Sequence, residues 1–179
     1  MKFNLQPDLS NEMVRLLPLQ KADFERLYAV ASDPEIWKNH PNKNRFEKAV
    51  FRNFFEGALE SGGAFLIQEA QANAIIGSSR FYDFDETKSS IFIGYTFYAV
   101  DYWGKGYNAQ VKKMMLDYIF QFVDQVIFHV GIDNHRSIRA MEKLGAEKIK
   151  EIVVAYFGEP DRNNVEFRLL KSNWVQGDQ

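Results

Sequence analysis

The order of periodic segments predicts an α/β chain of the α+β kind, a mixed and mostly antiparallel sheet with helices on both faces. Three observations carry that prediction. Strand-like runs at residues 64–69, 75–84 and 90–98 follow one another across short polar connections, as in an antiparallel meander. A helix, a strand and another helix come next, and two more strands close the chain, so different kinds of strand pairing meet in one sheet. Two glycines one residue apart, Gly104 and Gly106, stand between an apolar strand and a helical pattern.

In chain order, residues 13–19 read as the first strand, and Phe24, Leu27, Tyr28 and Ala31 then share one helical face. Asp33-Pro34 ends or breaks that helix, and the polar, Pro-bearing stretch 37–44 reads as a loop. A second helix is predicted over 45–59 with Phe46, Val50, Phe51, Phe54 and Ala58 inward, stopped by Ser61-Gly62-Gly63. The meander follows, with 71–73 and 85–88 as its hairpin connections. Val111, Met114, Met115, Tyr118, Ile119 and Phe122 recur at i, i+3, i+4, i+7, i+8 and i+11, the mark of a helix with one buried face. Residues 126–132 read as a strand, a helix opens at Asn134, and strands at 148–157 and 164–170 flank the turn-rich 158–163. That makes seven strands.

At 179 residues the chain suits one domain, 1–179, with a full core. Hydrophobic residues make up 46% and charged residues 26%, and 16 Phe with 8 Tyr make it rich in aromatics, which argues against disorder. A net charge of −2 speaks against broad nucleic-acid binding, which needs many cations to neutralise phosphates. The absence of cysteine excludes disulfides, thiolate metal sites and acyl-cysteine chemistry. The longest strongly apolar run, 91–100, is about half of what a membrane helix needs, and the N-terminus lacks a signal-peptide core. A soluble cytoplasmic protein without membrane partners is expected, its oligomeric state open and a homodimer included.

The run Tyr102-Trp103-Gly104-Lys105-Gly106-Tyr107-Asn108-Ala109 places both glycines at a helix N-terminus. Backbone N–H groups lack intrahelical partners there and the macrodipole is positive, so a phosphate can be held without an essential lysine. Gly106 carries most weight, on the expectation that the close approach of phosphate leaves no room for a Cβ. A tight turn is the competing reading.

After the next strand comes Asp133-Asn134-His135-Arg136-Ser137, and then Glu142-Lys143-Leu144-Gly145-Ala146. The order glycine loop, helix, strand, Asn-x-x-Ser helix, Glu-Lys-Leu-Gly resembles the acyl-CoA-binding half of the GNAT N-acetyltransferase superfamily. Within it, Tyr-Trp-Gly-x-Gly and Asn-x-x-Ser resemble the branch of ribosomal-protein N-terminal (alanine) acetyltransferases. The resemblance covers residues 76–146 most strongly and extends from Met13 onward. It implies a GNAT-like seven-stranded sheet whose central strands splay apart at the acyl-CoA site. It also implies that acetyl-CoA is the cofactor, with CoA as product, and that the backbone at Gly104, Lys105, Gly106, Tyr107, Asn108 and Ala109 cradles its pyrophosphate beside Trp103. The backbone of Phe97, Tyr98 and Ala99 would pair with the pantetheine amides. Asn108 departs from the small residue usual in the superfamily.

Acetyl transfer from a thioester to an amine needs a neutral amine, a polarised carbonyl and a proton for the thiolate. Asn134 reads as a helix N-cap, as a contact to the pantetheine arm, or as both. Ser137 reads as a first-turn residue or as the acid; many relatives place a Tyr acid at the position of Met141, so Ser137 or Tyr95 must supply the proton. Many relatives also carry a base-forming Glu just before Ile-Gly-Tyr, where this chain has Phe92. Asp83, Asp85, Glu86, Asp101, His40 and His135 remain as bases, each also readable as a surface group; His129 reads as a sheet residue. An α-amine, with a pKa of about 7.7–8.0, needs such help less than a lysine. Trp37, His40 and the run 38–43 match one wall of the acceptor cleft in relatives, or else an ordinary loop with a half-buried Trp. The leading expectation is an N-acetyltransferase acting by direct attack of a primary amine, a protein or peptide N-terminus or a small molecule. An acyl-CoA-binding module without efficient catalysis is the alternative.

Overall fold

The structure, a computed structural model, describes residues 3–176. Its sheet has eight strands in the order β1-β2-β3-β4-β5-β6-β8-β7. These are β1 Leu9–Ser10, β2 Val14–Pro18, β3 Ala64–Glu69, β4 Ile75–Asp85, β5 Ser90–Tyr98, β6 Gln125–Gly131, β7 Glu147–Val154 and β8 Arg162–Leu170. The predicted count of seven is therefore corrected to eight. The addition, β1, pairs Leu9 with Leu16 and Ser10 with Arg15, and its two residues are too few to show an alternating pattern. Among the described residues, only β5 and β6 pair in parallel.

Six helices surround the sheet: α1 Phe24–Ala31, α2 Pro34–Trp37, α3 Lys48–Glu60, α4 Tyr107–Ile119, α5 His135–Lys143 and α6 Lys171–Gln176. The strands alternate between two cores, as a period of two requires. Leu16, Phe65 and Ile67 join Met115, Leu116 and Met141 on the α4 and α5 face; Ala64, Leu66 and Phe97 join Leu27, Trp37, Phe51 and Phe54 on the other. Among the described residues, no helix is long and apolar enough to cross a membrane.

Three boundaries differ from the sequence prediction. Part of the predicted loop 37–44 is preceded by the short α2, where Pro34 takes the first helical position and Asp33 Oδ1 accepts from Glu35 N–H at 2.9 Å. This turn buries Trp37 completely, and its indole N–H donates to Ala31 O at 2.7 Å. The α3 helix begins at Lys48 rather than 45, because Arg45 is drawn into an ion pair and Phe46 O accepts from the Tyr28 hydroxyl at 3.0 Å. It buries Phe55, while Val50 is only half-buried. The α4 helix ends at Ile119, so Phe122 leaves its apolar stripe and stacks on Phe3 with centroids 4.9 Å apart.

One irregularity positions the site. Register along β4 and β5 runs from Arg80 opposite Gly94 to Ser78 opposite Phe97, so β5 holds an additional residue against Ser79. Tyr95 absorbs it with φ +53°, a left-handed conformation that costs on the order of 1–3 kcal/mol for a residue other than glycine. The bulge reverses the facing of the strand. Ile93 belongs to the α4 core, whereas Tyr95 and Phe97 belong to the α3 core and Thr96 faces α4.

Candidate active site

Parallel pairing of β5 with β6 runs Ser90 to Gln125, Ile91 to Val126 and Phe92 to Ile127, and stops there. Beyond it the strands part around a cavity of about 580 Å³, walled by Ile93 to Tyr98 on β5 and Phe128 to Gly131 on β6. The sheet stays continuous because β6 continues its pairing with β8 as far as Gly131 opposite Asn164. A backbone edge of β5 is thereby left without a strand partner inside the cavity.

The glycine loop forms one mouth. Gly104 has φ +71° and Gly106, the N-cap of α4, has φ +88°. A Cβ at either would meet no heavy atom within 4 Å, so the expected crowding at Gly106 is absent and the demand for glycine is conformational. The first N–H groups of α4 lack intrahelical partners by geometry and open toward the cavity, which Gly106, Tyr107, Asn108 and Ala109 line. Trp103 and Gly104 line it too, the Trp103 indole donating to Tyr98 O at 2.9 Å with the Arg136 guanidinium 3.9 Å from its ring centre. Phe97 and Tyr98 are in the wall. Ala99 and Lys105, expected at the cofactor, lie outside the lining: the Ala99 N–H donates to Ile76 O at 2.7 Å, and Lys105 is exposed.

The N-terminus of α5 forms the facing wall. Asn134 is its N-cap, buried, with Oδ1 accepting from Ser137 N–H at 3.2 Å, and both residues line the cavity. The cap reading of Asn134 is thus built into the structure alongside its access to the cleft. Met141 closes the wall with an apolar side chain.

The side of the cavity formed by Tyr82, Tyr95 and Tyr156 is aromatic. Tyr95 stands between Tyr82 and Tyr156, with ring centroids 5.1 and 5.7 Å away, and the buried Arg80 guanidinium lies 3.7 Å from the Tyr95 ring centre. Burial raises the pKa of Tyr95 above the usual phenol value, against the pull of Arg80 and Arg45, so its hydroxyl keeps its proton at neutral pH. His40 lines the cavity with its ring 5.0 Å from that of Trp37. Burial, then Arg45 and Arg136, lower its pKa to about 3, which leaves the imidazole neutral and a poor proton acceptor. His129 is hydrogen-bonded to Glu166 at 3.0 Å, and Phe92 packs on His129 and Tyr82.

The remaining base candidates lie elsewhere. Asp85 Oδ1 accepts from Thr87 N–H, Thr87 Oγ1 and Lys88 N–H, a turn-capping role, and Asp83, Glu86, Asp101 and His135 are exposed and outside the lining. Among the described residues no Asp or Glu lines the cavity, whereas Arg45, Lys112, Arg136, Arg139 and Lys143 do. This charge pattern and the glycine-loop N–H groups fit an anionic cofactor such as a CoA thioester.

Lys112 is the residue that sequence reading misses. It is 5% exposed, its Nζ donates to Thr96 Oγ1 at 2.8 Å and lies 3.5 Å from Ser79 Oγ, and burial lowers its pKa to about 7. Its signal was available: Met115, Leu116 and Ile119 stand three, four and seven residues on, so Lys112 shares the buried stripe.

Residues 14–147 match the model of the acetyltransferase (GNAT) domain. Solved structures of similar fold include a GCN5-related N-acetyltransferase from Brucella melitensis, at TM-score 0.81 and 18% identity, covering 95% of this chain and 81% of that one. A GNAT-family acetyltransferase from Bacillus anthracis aligns at TM-score 0.74 and 20% identity, covering 93% and 99%. Spermidine N-acetyltransferase from Vibrio cholerae, in complex with CoA and spermine, aligns at 0.67 and 17%, covering 92% and 99%. With the domain model spanning most of its length, the chain belongs to the GNAT acetyltransferase family.

Proposed function

We propose that the protein is a single-domain N-acetyltransferase that moves an acetyl group from acetyl-CoA to a primary amine by direct attack. The observation that carries this reading is the parting of β5 from β6 beside the glycine loop, in a cavity lined by cations and no carboxylate among the described residues. Bound acetyl-CoA would supply the reactive thioester. Backbone N–H groups from Gly106 to Ala109 would hold its phosphates, and the unpaired edge of β5 would align its amide-bearing arm. The phenol of Tyr95, held protonated, and the hydroxyl of Ser137 are the groups of this chain suited to give the departing sulfur a proton. No carboxylate among the described residues lines the cleft and His40 is a poor base, so in this reading the amine reacts in its own neutral form; Lys112, with its pKa lowered to about 7, is held by Thr96 and Ser79. The likeness to amine acetyltransferases, the spermidine enzyme included, supports an amine acceptor, and the Tyr-Trp-Gly-x-Gly and Asn-x-x-Ser segments support kinship with the ribosomal-protein N-terminal branch.

Calorimetry with CoA and thiol release from acetyl-CoA test the reading together. CoA binding with amine-dependent thiol release supports it; absence of CoA binding by folded protein contradicts it. One observation favours a second reading, an acyl-CoA-binding module: Phe92 occupies the position expected for a base and is packed against Tyr82 and His129. Tight CoA binding without turnover of any amine would favour that module.

A further inference from the structure

The acceptor end of the cavity is closed by contacts between segments far apart in the chain. Glu159, in the β7–β8 connection, accepts from Arg45 Nε at 2.8 Å and Nη2 at 2.7 Å, and both side chains are 3% exposed. Asn42 also donates to Glu159, Arg162 Nε donates to Pro41 O at 2.8 Å, and Asn53 Nδ2 donates to Gly158 O at 3.3 Å. Pro41 in turn lies against β6, where a Cβ on Gly131 would come within 2.8 Å of its Cγ. The segment 38–47 is thus fastened both to the β7–β8 connection and to the end of β6. A polypeptide acceptor passing this way would have to break a buried, bidentate ion pair.

Inside that closure the lining is aromatic, with no Asp or Glu among the described residues that form it. Tyr82, Tyr95 and Tyr156 line it, and Arg45, whose guanidinium lies 4.9 to 5.9 Å from the rings of Trp37, Phe54, Tyr95 and Tyr156, has its charge met by Glu159. A second ammonium on an acceptor would be desolvated beside cations, with no carboxylate among the described lining residues to pair with it and Glu159 already held by Arg45. An aromatic body would find edge and face contacts at the tyrosines.

We infer that the acceptor is a compact amine with one amino group, which reacts in its neutral form, on an aromatic or apolar body, and that polyamines and polypeptide N-termini are poor substrates. This rests on the acetyl-transfer reading and narrows it. The test compares thiol release from acetyl-CoA with three acceptors: phenylalanine amide, spermidine, and a ten-residue peptide beginning with Phe. The expected kcat/KM for phenylalanine amide exceeds that for each of the others at least tenfold. A His40→Glu variant, which places a carboxylate at the cavity wall, is expected to narrow the gap with spermidine by tenfold. The wild-type comparison decides the matter even where that variant does not fold. Spermidine or the peptide equalling phenylalanine amide overturns the inference while leaving acetyl transfer standing; CoA binding without turnover of phenylalanine amide also overturns it, and acetyl transfer then stands only if another of the amines is turned over. Failure to bind CoA removes the acetyl-transfer reading, and this inference with it.

Discussion

The two halves of the cleft are made of different material. The half proposed to hold the cofactor is made of backbone: a glycine loop in left-handed conformation, the open N-terminus of α4 and an unpaired edge of β5. The half proposed to take the acceptor is made of side chains from the segment 38–47, the middle of β4 and β5, and the β7–β8 connection, tied together by an ion pair between residues 114 positions apart. Backbone recognition needs few particular side chains, so it tolerates sequence change while holding one ligand. Side-chain recognition changes with every substitution, so this half is where one member of the fold would differ from another in acceptor.

Several substitutions would break or sharpen that contrast. The largest expected effect is on stability: Glu159→Ala leaves Arg45 buried without its partner and should cost about 3–5 kcal/mol in urea unfolding. What remains folded should bind CoA as before, because the pair touches only the acceptor half. Next, Gly106→Val should lower CoA affinity about 100-fold, roughly 2.7 kcal/mol, by moving a β-branched residue out of φ +88° and so displacing the first turn of α4. Lys105→Ala should change that affinity by less than about threefold, since the loop acts through its N–H groups. Equal losses from both variants would show that charge, not backbone, holds the phosphate.

Lys112 gives a smaller effect with a pH signature. Its folded pKa of about 7 is below its ordinary value, so between these two pH values the unfolded chain binds more protons and stability rises with pH. Lys112→Met should therefore stabilise by about 1–2 kcal/mol at pH 6, after the loss of its hydroxyl partners, with the gain fading toward pH 10. A gain independent of pH would mean that Lys112 does not titrate in that window. The smallest stability change is expected at Asn134. Asn134→Asp keeps the cap and should unfold within about 0.5 kcal/mol of wild type, with kcat reduced and CoA affinity retained.

The same contrast explains what the sequence revealed. Gly104, Gly106, Asn134 and Ser137 were legible because helix starts are set by neighbours a few residues apart, and the meander was legible because its hairpins are local. Tyr95 was a candidate acid, with Ser137, because Met141 stands where relatives place a tyrosine, but nothing in Gly94-Tyr95-Thr96 announced a left-handed residue, since the bulge exists only relative to β4. The pair of Arg45 and Glu159 was invisible for a similar reason. Each lies in a polar, turn-rich stretch, and only the packing of β8 beside β6 brings them together. The full burial of Trp37 matches neither the cleft wall nor the half-buried loop residue that the sequence offers, because its cover is Phe97, Phe51 and Phe54 from other elements.

The pH dependence of turnover tests most directly the claim that the chain holds acetyl-CoA by backbone and leaves the amine to supply its own neutral form. The measurement is kcat/KM for two acceptors of different pKa, phenylalanine amide and 2-phenylethylamine, from pH 6 to 10. The account predicts that the rate rises with pH for both and that each midpoint follows the acceptor's own ionisation. A midpoint that stays at one pH for both amines would contradict it, and would show that a base within the cleft takes the proton.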